Sequence, residues 1–169
     1  LGVTACTSGV EMPEAPADFG GPSAGSRENC CRSIRDAIIH TAARTGFRGR
    51  WEQVMDNPRV ICDIGHNEHG LKYNFSQLAQ MQRSGEISKL IMVYGSVADK
   101  DVDAAVSLFP ENAVYIFTKA QGKRAMPAEA VREKYLAMCA SKGCKPSETY
   151  CLDNVSDAVS LALAIAGDC

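Results

Sequence analysis

The sequence predicts an α/β domain: a mostly parallel sheet with helices on both faces. Short apolar runs at residues 59–64, 89–94 and 113–118 are rich in β-branched and aromatic side chains, and Gly65 and Gly95 close the first two. Between them, apolar residues recur at helical spacing, as in Leu71, Phe75, Leu78 and Met81. Strand and helix alternate over short connections, the pattern of right-handed crossover units. The 169 residues suffice for one domain with its own core.

The elements follow in order. Residues 1–32 carry Pro13, Pro16, Gly20, Gly21, Pro22, Ser23, Gly25 and Ser26 and show no apolar period, so an irregular or poorly ordered segment is expected there. It begins with Leu1 rather than Met, and reads as a linker or an incomplete N-terminus. The ordered domain is set at residues 33–169. Ile34, Ala37, Ile38, Thr41 and Ala42 fall at helical spacing, with Gly46 as the stop. Residues 51–55 form a short strand, Asp56-Asn57-Pro58 a turn, and 59–64 a buried strand. A helix is expected over 67–83, a strand over 89–94, a short helix over 101–109 and a strand over 113–118. Pro127 starts a helix over 128–141, since proline suits a first turn. A short strand over 149–152 and an amphipathic helix over 155–166 complete the set. The sum is a Rossmann-like sheet that lacks its last strand, because the chain stops at Gly167-Asp168-Cys169.

Composition excludes several classes. With 18 basic and 20 acidic residues spread along the chain, no basic face for nucleic acid is evident. Mean hydropathy is -0.14 and no apolar run approaches the roughly 20 residues needed to span a bilayer, so no membrane partner is expected. Eight cysteines without a C-x-x-C pair argue against a zinc ribbon, and with no secretory signal in view buried free thiols in a cytoplasmic protein are expected.

The strand over 59–64 runs into Asp63-Ile64-Gly65-His66-Asn67. In open α/β sheets ligands bind at this edge, so an acid, an imidazole and an amide there suit a site. Asp63 could bond a ribose hydroxyl, and His66 and Asn67 a phosphate or carboxylate; Asp63 or Asn67 could equally cap the next helix. Asp63, His66 and His69 also invite a zinc reading, but the spacing is not that of the helical H-E-x-x-H type, and no metal site is assigned. Arg50 could contact a nucleotide or simply pack beside Trp51. Lys100, in Asp99-Lys100-Asp101, and Arg124, in the basic loop 119–124, lie at the ends of the next two strands on the same edge. Together the three loops suggest an anionic ligand. There is no G-x-x-x-x-G-K-[ST] loop for a triphosphate and no G-x-G-x-x-G after a strand.

The run Thr45-Gly46-Phe47-Arg48-Gly49-Arg50-Trp51-Glu52-Gln53, then Asn57-Pro58, then Val60 to Asn67, resembles the C-terminal domain of the folylpolyglutamate synthase / dihydrofolate synthase family, within the Mur ligase superfamily. Gly95 to Asp101 is similar to that family's G-M-x-x-D-K-D, with Ser96 in place of Met, and Thr118 to Pro127 is similar to its T-x(n)-R-A-x-P. The resemblance runs from about Ser33 to Gly167.

What it implies is an ATP-dependent ligase that adds L-glutamate to dihydropteroate or folate through an acyl phosphate. This chain would hold the domain that closes over the nucleotide. The P-loop domain, a partner lying outside this chain, would bind ATP and the ligands of Mg2+. Carried over by motif, Arg50 and Asp63 would contact the adenosine of ATP, and His66 would act near the phosphates and the incoming amino acid. Asn67, Lys100 and Arg124 are possible substrate contacts. The chain alone is expected to be inactive. Rival readings are a free-standing nucleotide- or amino-acid-binding module, a metal-dependent hydrolase using Asp63, His66 and His69, and another Mur-type amide ligase.

Overall fold

The structure is a computed structural model and describes residues 2–3 and 24–167. Two compact units emerge, one from residues 8–48 and one formed by residues 1–7 with 49–169. In the smaller unit, helix α1 (Ala24–Ile39) is followed by the short α2 (Thr41–Thr45). Asp36 links them, accepting from Arg44 at 2.7 Å and pairing with His40 at 3.0 Å. The helix starts nine residues ahead of the expected boundary at 33, so part of the stretch expected to be irregular is helical. Residues 1 and 4–23 of that stretch lie outside the described residues.

The larger unit is a six-stranded sheet in the order β2-β3-β1-β4-β5-β6. Its strands are β1 (Gly2–Val3), β2 (Glu52–Asp56), β3 (Arg59–Asp63), β4 (Leu90–Tyr94), β5 (Ala113–Thr118) and β6 (Thr149–Leu152). β2 and β3 form an antiparallel hairpin over the turn at Asn57-Pro58, whose peptide bond is cis. β4, β5 and β6 pair in parallel. β1 is antiparallel to both its neighbours, so β3 points the same way as β4, β5 and β6. One departure from expectation is that β3 and β4 are not neighbours. Two residues from the N-terminal end sit between them, pairing Gly2 with Asp63 and Val3 with Cys62 and Val93. Nothing in the composition of residues 1–32 signals this pairing.

Helices α3 (Glu68–Arg83), α4 (Val102–Ser107) and α5 (Ala128–Lys142) cover one face of the sheet, and α6 (Val155–Gly167) covers the other. The alternation of the strands explains the two layers, because successive side chains point to opposite faces. Leu90, Met92 and Tyr94 join Tyr115 and Phe117 in the main core, while Val93 and Ile116 turn to Ala158 of α6. The expected inner face of α3, Leu71, Phe75, Leu78 and Met81, is buried. Phe109 centres the main core, stacked on Tyr115 at 5.0 Å and edge-on to Phe75 at 5.5 Å and Tyr94 at 5.0 Å. Tyr115 donates its hydroxyl to the Pro110 carbonyl, which meets the requirement of a phenol in an apolar interior.

The cysteines differ from the expectation of buried thiols. None of the six described ones is in a disulfide, yet Cys30, Cys31 and Cys144 are exposed, Cys62 and Cys151 are half-buried, and Cys139 alone among them is buried.

Candidate functional site

The C-terminal ends of β3, β4 and β5 open onto a crevice of about 480 Å³, within the range that suits a small ligand. Leu71, Phe75 and Met92 form its apolar floor. Asp63, His66, Lys100 and Arg124 line it together, although they come from three loops spread over some sixty positions of the chain. Parallel strands place their C-terminal ends on one edge, and the tertiary fold therefore gathers what the sequence scatters.

Asp63 is held by the backbone. One carboxylate oxygen accepts the Trp51 N–H at 2.8 Å and the other the Gly65 N–H at 2.6 Å. Trp51 has φ +45, an unfavourable left-handed conformation for a bulky residue, and the bond to Asp63 helps offset that strain. Gly49, at φ +77, brings the chain close to β3: its carbonyl accepts from the Ile64 N–H at 2.8 Å, and a Cβ there would stand 2.9 Å from the Ile64 side chain. Arg50, between these two fixed residues, is exposed and is not among the lining residues of the crevice.

His66 is exposed, and its Nδ1 lies 3.1 Å from the Ile64 carbonyl. With Nδ1–H donating, a neutral ring presents its Nε2 lone pair outward. Asn67 is the N-cap of α3, accepting the Gly70 N–H at 2.7 Å through Oδ1, so its amide group alone keeps free donors. It stands outside the lining of the crevice. Asp63, His66 and His69 do not assemble into a metal site: among the described residues no three His, Cys, Asp or Glu side chains cluster to hold a cation.

The loops after β4 and β5 are joined. Ala98 N–H donates to the Arg124 carbonyl at 2.8 Å, Met126 N–H to the Ser96 carbonyl at 2.9 Å, and Val97 bridges Ala125. Asp99 pairs with Arg124 at 3.3 Å across the same seam. Both partners are exposed, so the pair itself adds about 0–1 kcal/mol and the backbone bonds do most of the joining. The Lys100 N–H donates to the Val97 carbonyl at 3.2 Å, while its side chain is exposed and makes no ion pair or hydrogen bond among the described residues, which leaves its ammonium available at the rim. Asp101 instead caps α4, accepting from the Ala104 N–H at 2.9 Å.

Sequence reasoning missed three polar lining residues. Asn74 lies on α3 between Leu71 and Phe75, and its polar side chain on an otherwise apolar stripe was the available signal. Tyr94 ends β4 with its hydroxyl bonded to Ser96, and burial pushes the phenol pKa up while that bond pulls it down. Thr118 ends β5 almost fully buried, and its hydroxyl makes no hydrogen bond among the described residues. Gly95 lies against this strand end: a Cβ at that position would meet the Thr118 carbonyl at 2.7 Å.

Comparison with known proteins gives a consistent family. Residues 49–169 match the family model described as Mur ligase, glutamate ligase domain. The dihydrofolate synthase/folylpolyglutamate synthase of Escherichia coli is 30% identical over 93 residues, covering 55% of this chain and 20% of that protein. Its counterpart from Mycobacterium tuberculosis is 30% identical over 134 residues, 75% of this chain and 26% of the relative. This chain thus spans about a quarter or less of the length of these relatives. Among solved structures, the Mycobacterium tuberculosis folylpolyglutamate synthase complexed with ADP and AMPPCP superposes with a TM-score of 0.54 at 25% identity, over 72% of this chain and 26% of that one. The bifunctional synthase of Yersinia pestis complexed with AMPPNP and Mn ion gives 0.53 at 22% identity, over 70% of this chain and 25% of that one, a likeness of fold. The match over residues 49–169 coincides with the part of the larger unit that carries the crevice, and the chain belongs to the Mur ligase family as its glutamate ligase domain.

Proposed function

We propose that this chain is the C-terminal domain of a cytosolic ATP-dependent ligase that joins L-glutamate to dihydropteroate or a folate through an acyl phosphate. The observation that carries the reading is the convergence of His66, Lys100 and Arg124 on one crevice whose floor is apolar. Family membership supports the glutamate-ligating chemistry, and the ADP and AMPPNP named with the solved relatives support a nucleotide as the energy source.

The donor set fits an anion. Lys100 offers a free ammonium, and Arg124, bound to Asp99 by one nitrogen, keeps other N–H groups for a carboxylate or phosphate oxygen. His66 Nε2 would take a proton from the amino group of glutamate, which must be neutral to attack. The Asp63 carboxylate has about four lone-pair sites, of which two are used by backbone donors, so a ribose hydroxyl can still be accepted. Arg50, exposed and next in sequence to the Trp51 that Asp63 holds, would contact the adenosine from outside the crevice, and the free amide of Asn67 would donate at the start of α3. ATP supplies the phosphoryl group when bound. The described residues offer no cation cluster, and Mg2+ would be held by a P-loop domain beyond this chain. Closure of the two domains would keep water from the acyl phosphate. On this reading the chain alone does not turn over.

The test is glutamate- and folate-dependent ADP release by this chain and by the longer gene product containing a P-loop domain. Turnover in the longer protein alone, with kcat lowered by roughly 100-fold in His66→Ala as expected for loss of a general base, supports the proposal. A folded longer protein without glutamate-dependent turnover overturns it in favour of a binding module.

A further inference from the structure

Away from the crevice, the end of α5 brings two cysteines together. Gly143 is left-handed, at φ 65 and ψ 23, and its N–H bonds the Ala140 carbonyl at 3.2 Å. The Cys144 N–H bonds the Cys139 carbonyl at 3.0 Å. These two bonds are those of a Schellman turn, in which the side chains at the positions of 139 and 144 characteristically touch. Here both of those positions are cysteines. The Cys144 Sγ also lies 3.6 Å from the Cys139 carbonyl oxygen, which holds its side chain against the residue that carries the other thiol.

The pair is asymmetric in access. Cys144 is exposed, whereas Cys139 is 2% exposed and packs within the main core beside Tyr135. Burial pushes the Cys139 thiol pKa up, which leaves the exposed partner to meet a solution reagent first. The hydroxyl of Tyr135 accepts the Ser147 N–H at 3.0 Å, so the segment that carries Cys144 towards β6 is already held against α5. Neither cysteine lines the crevice.

We propose that Cys139 and Cys144 form a reversible disulfide through exchange with a small-molecule disulfide such as oxidised glutathione. The Cys144 thiolate attacks one sulfur of the reagent, forming a mixed disulfide and releasing one glutathione thiolate, which takes up a proton. The Cys139 thiolate, its proton given to solvent, then attacks the Cys144 sulfur and releases the second glutathione. Two protein thiols are oxidised by two electrons and one glutathione disulfide is reduced to two thiols. The bond staples the last turn of α5 to the loop that leads to β6, and a reducing glutathione pool opens it again.

The experiment is to incubate the chain with oxidised glutathione, trap free thiols by alkylation, and digest with trypsin and a glutamate-specific protease. Cleavage after Lys134, Lys142 and Glu148 separates residues 135–142 from 143–148, which places one cysteine of the pair on each peptide. The expected result is a cross-link between those peptides, two hydrogens lighter than the free pair and lost on reduction. Cys139→Ala should stop at a glutathione adduct on Cys144, and Cys144→Ser should leave Cys139 alkylation-resistant in the folded state and free of glutathione. A wild-type chain that keeps glutathione on Cys144 without the internal cross-link, or that joins Cys144 to a different cysteine first, overturns the proposal.

Discussion

Asp63 holds Trp51 across the mouth of the β2–β3 hairpin: its carboxylate accepts the Trp51 N–H at 2.8 Å, while its other oxygen accepts from Gly65 at 2.6 Å. The strand end, the left-handed Trp51 and the loop leading to His66 are therefore fixed by one side chain. Trp51 in turn packs against Ile61 and Met81.

Asp63→Ala removes both charge-assisted bonds and should cost roughly 3 kcal/mol of stability. Asp63→Asn keeps one acceptor oxygen and should lose about half as much. Urea unfolding of the three proteins measures this. A loss below about 0.5 kcal/mol in the alanine variant would mean that water satisfies both amides without strain. Because the same substitution disturbs the hairpin, loss of activity in Asp63→Ala by itself does not report on a nucleotide contact.

Gly95→Ala puts a methyl group where the Thr118 carbonyl already stands at 2.7 Å, and the clash is with backbone. β4 and β5 must shift apart, at about 2 kcal/mol, and the floor of the crevice moves with them. A thermal melt of the variant within one degree of the parent would contradict this account.

Lys100→Ala should leave stability within about 0.5 kcal/mol, since the side chain is exposed and unpaired among the described residues. Its affinity for inorganic pyrophosphate, read by calorimetric titration, should fall several-fold. Asp99→Asn should act the other way, since it releases Arg124 from its ion pair at 3.3 Å. Both effects should shrink with added salt, because exposed charges are screened. Equal affinity in all three proteins would remove these loops from anion binding.

The alkaline limit of stability should be set partly by Cys151. Burial pushes its thiol pKa up from 9.0 to about 11, with the Glu129 carboxylate adding to the shift and Arg132 opposing it. The folded state thus prefers the neutral thiol. Its contribution is complete below pH 9, and declines between pH 9 and 11 as the unfolded thiol ionises and the folded one does not. Above pH 10 the buried phenols Tyr115 and Tyr94, both raised by burial, steepen the fall. The urea midpoint of Cys151→Ala should decline less between pH 9 and 10 than that of the parent, and parallel curves would refute the assignment.

Much of the sheet is legible in the sequence because local chemistry specifies it. The strand at 113–118 and the one at 149–152 fall where expected, as does the buried stripe of α3, since β-branched runs and helical spacing of apolar residues act over a few positions. Asn67 at the start of α3 and Asp101 at the start of α4 are likewise local, each oxygen meeting an amide three residues on. The family itself is readable from Gly49 to Asn67 and from Gly95 to Asp101, where short motifs keep their order.

The tertiary structure alone decides the rest. That β1 lies between β3 and β4 depends on pairing across some sixty to ninety residues, and two residues carry no periodic signal. That Asp63 serves backbone amides at Trp51 and Gly65, that Arg50 stands outside the crevice, and that Asn74, Tyr94 and Thr118 enter its lining follow from where strand ends meet. The contact of Cys139 with Cys144 needs the left-handed turn at Gly143 to form. Propensity and periodicity act through neighbours in the chain, whereas a crevice is made by residues that become neighbours only when the sheet has closed its order.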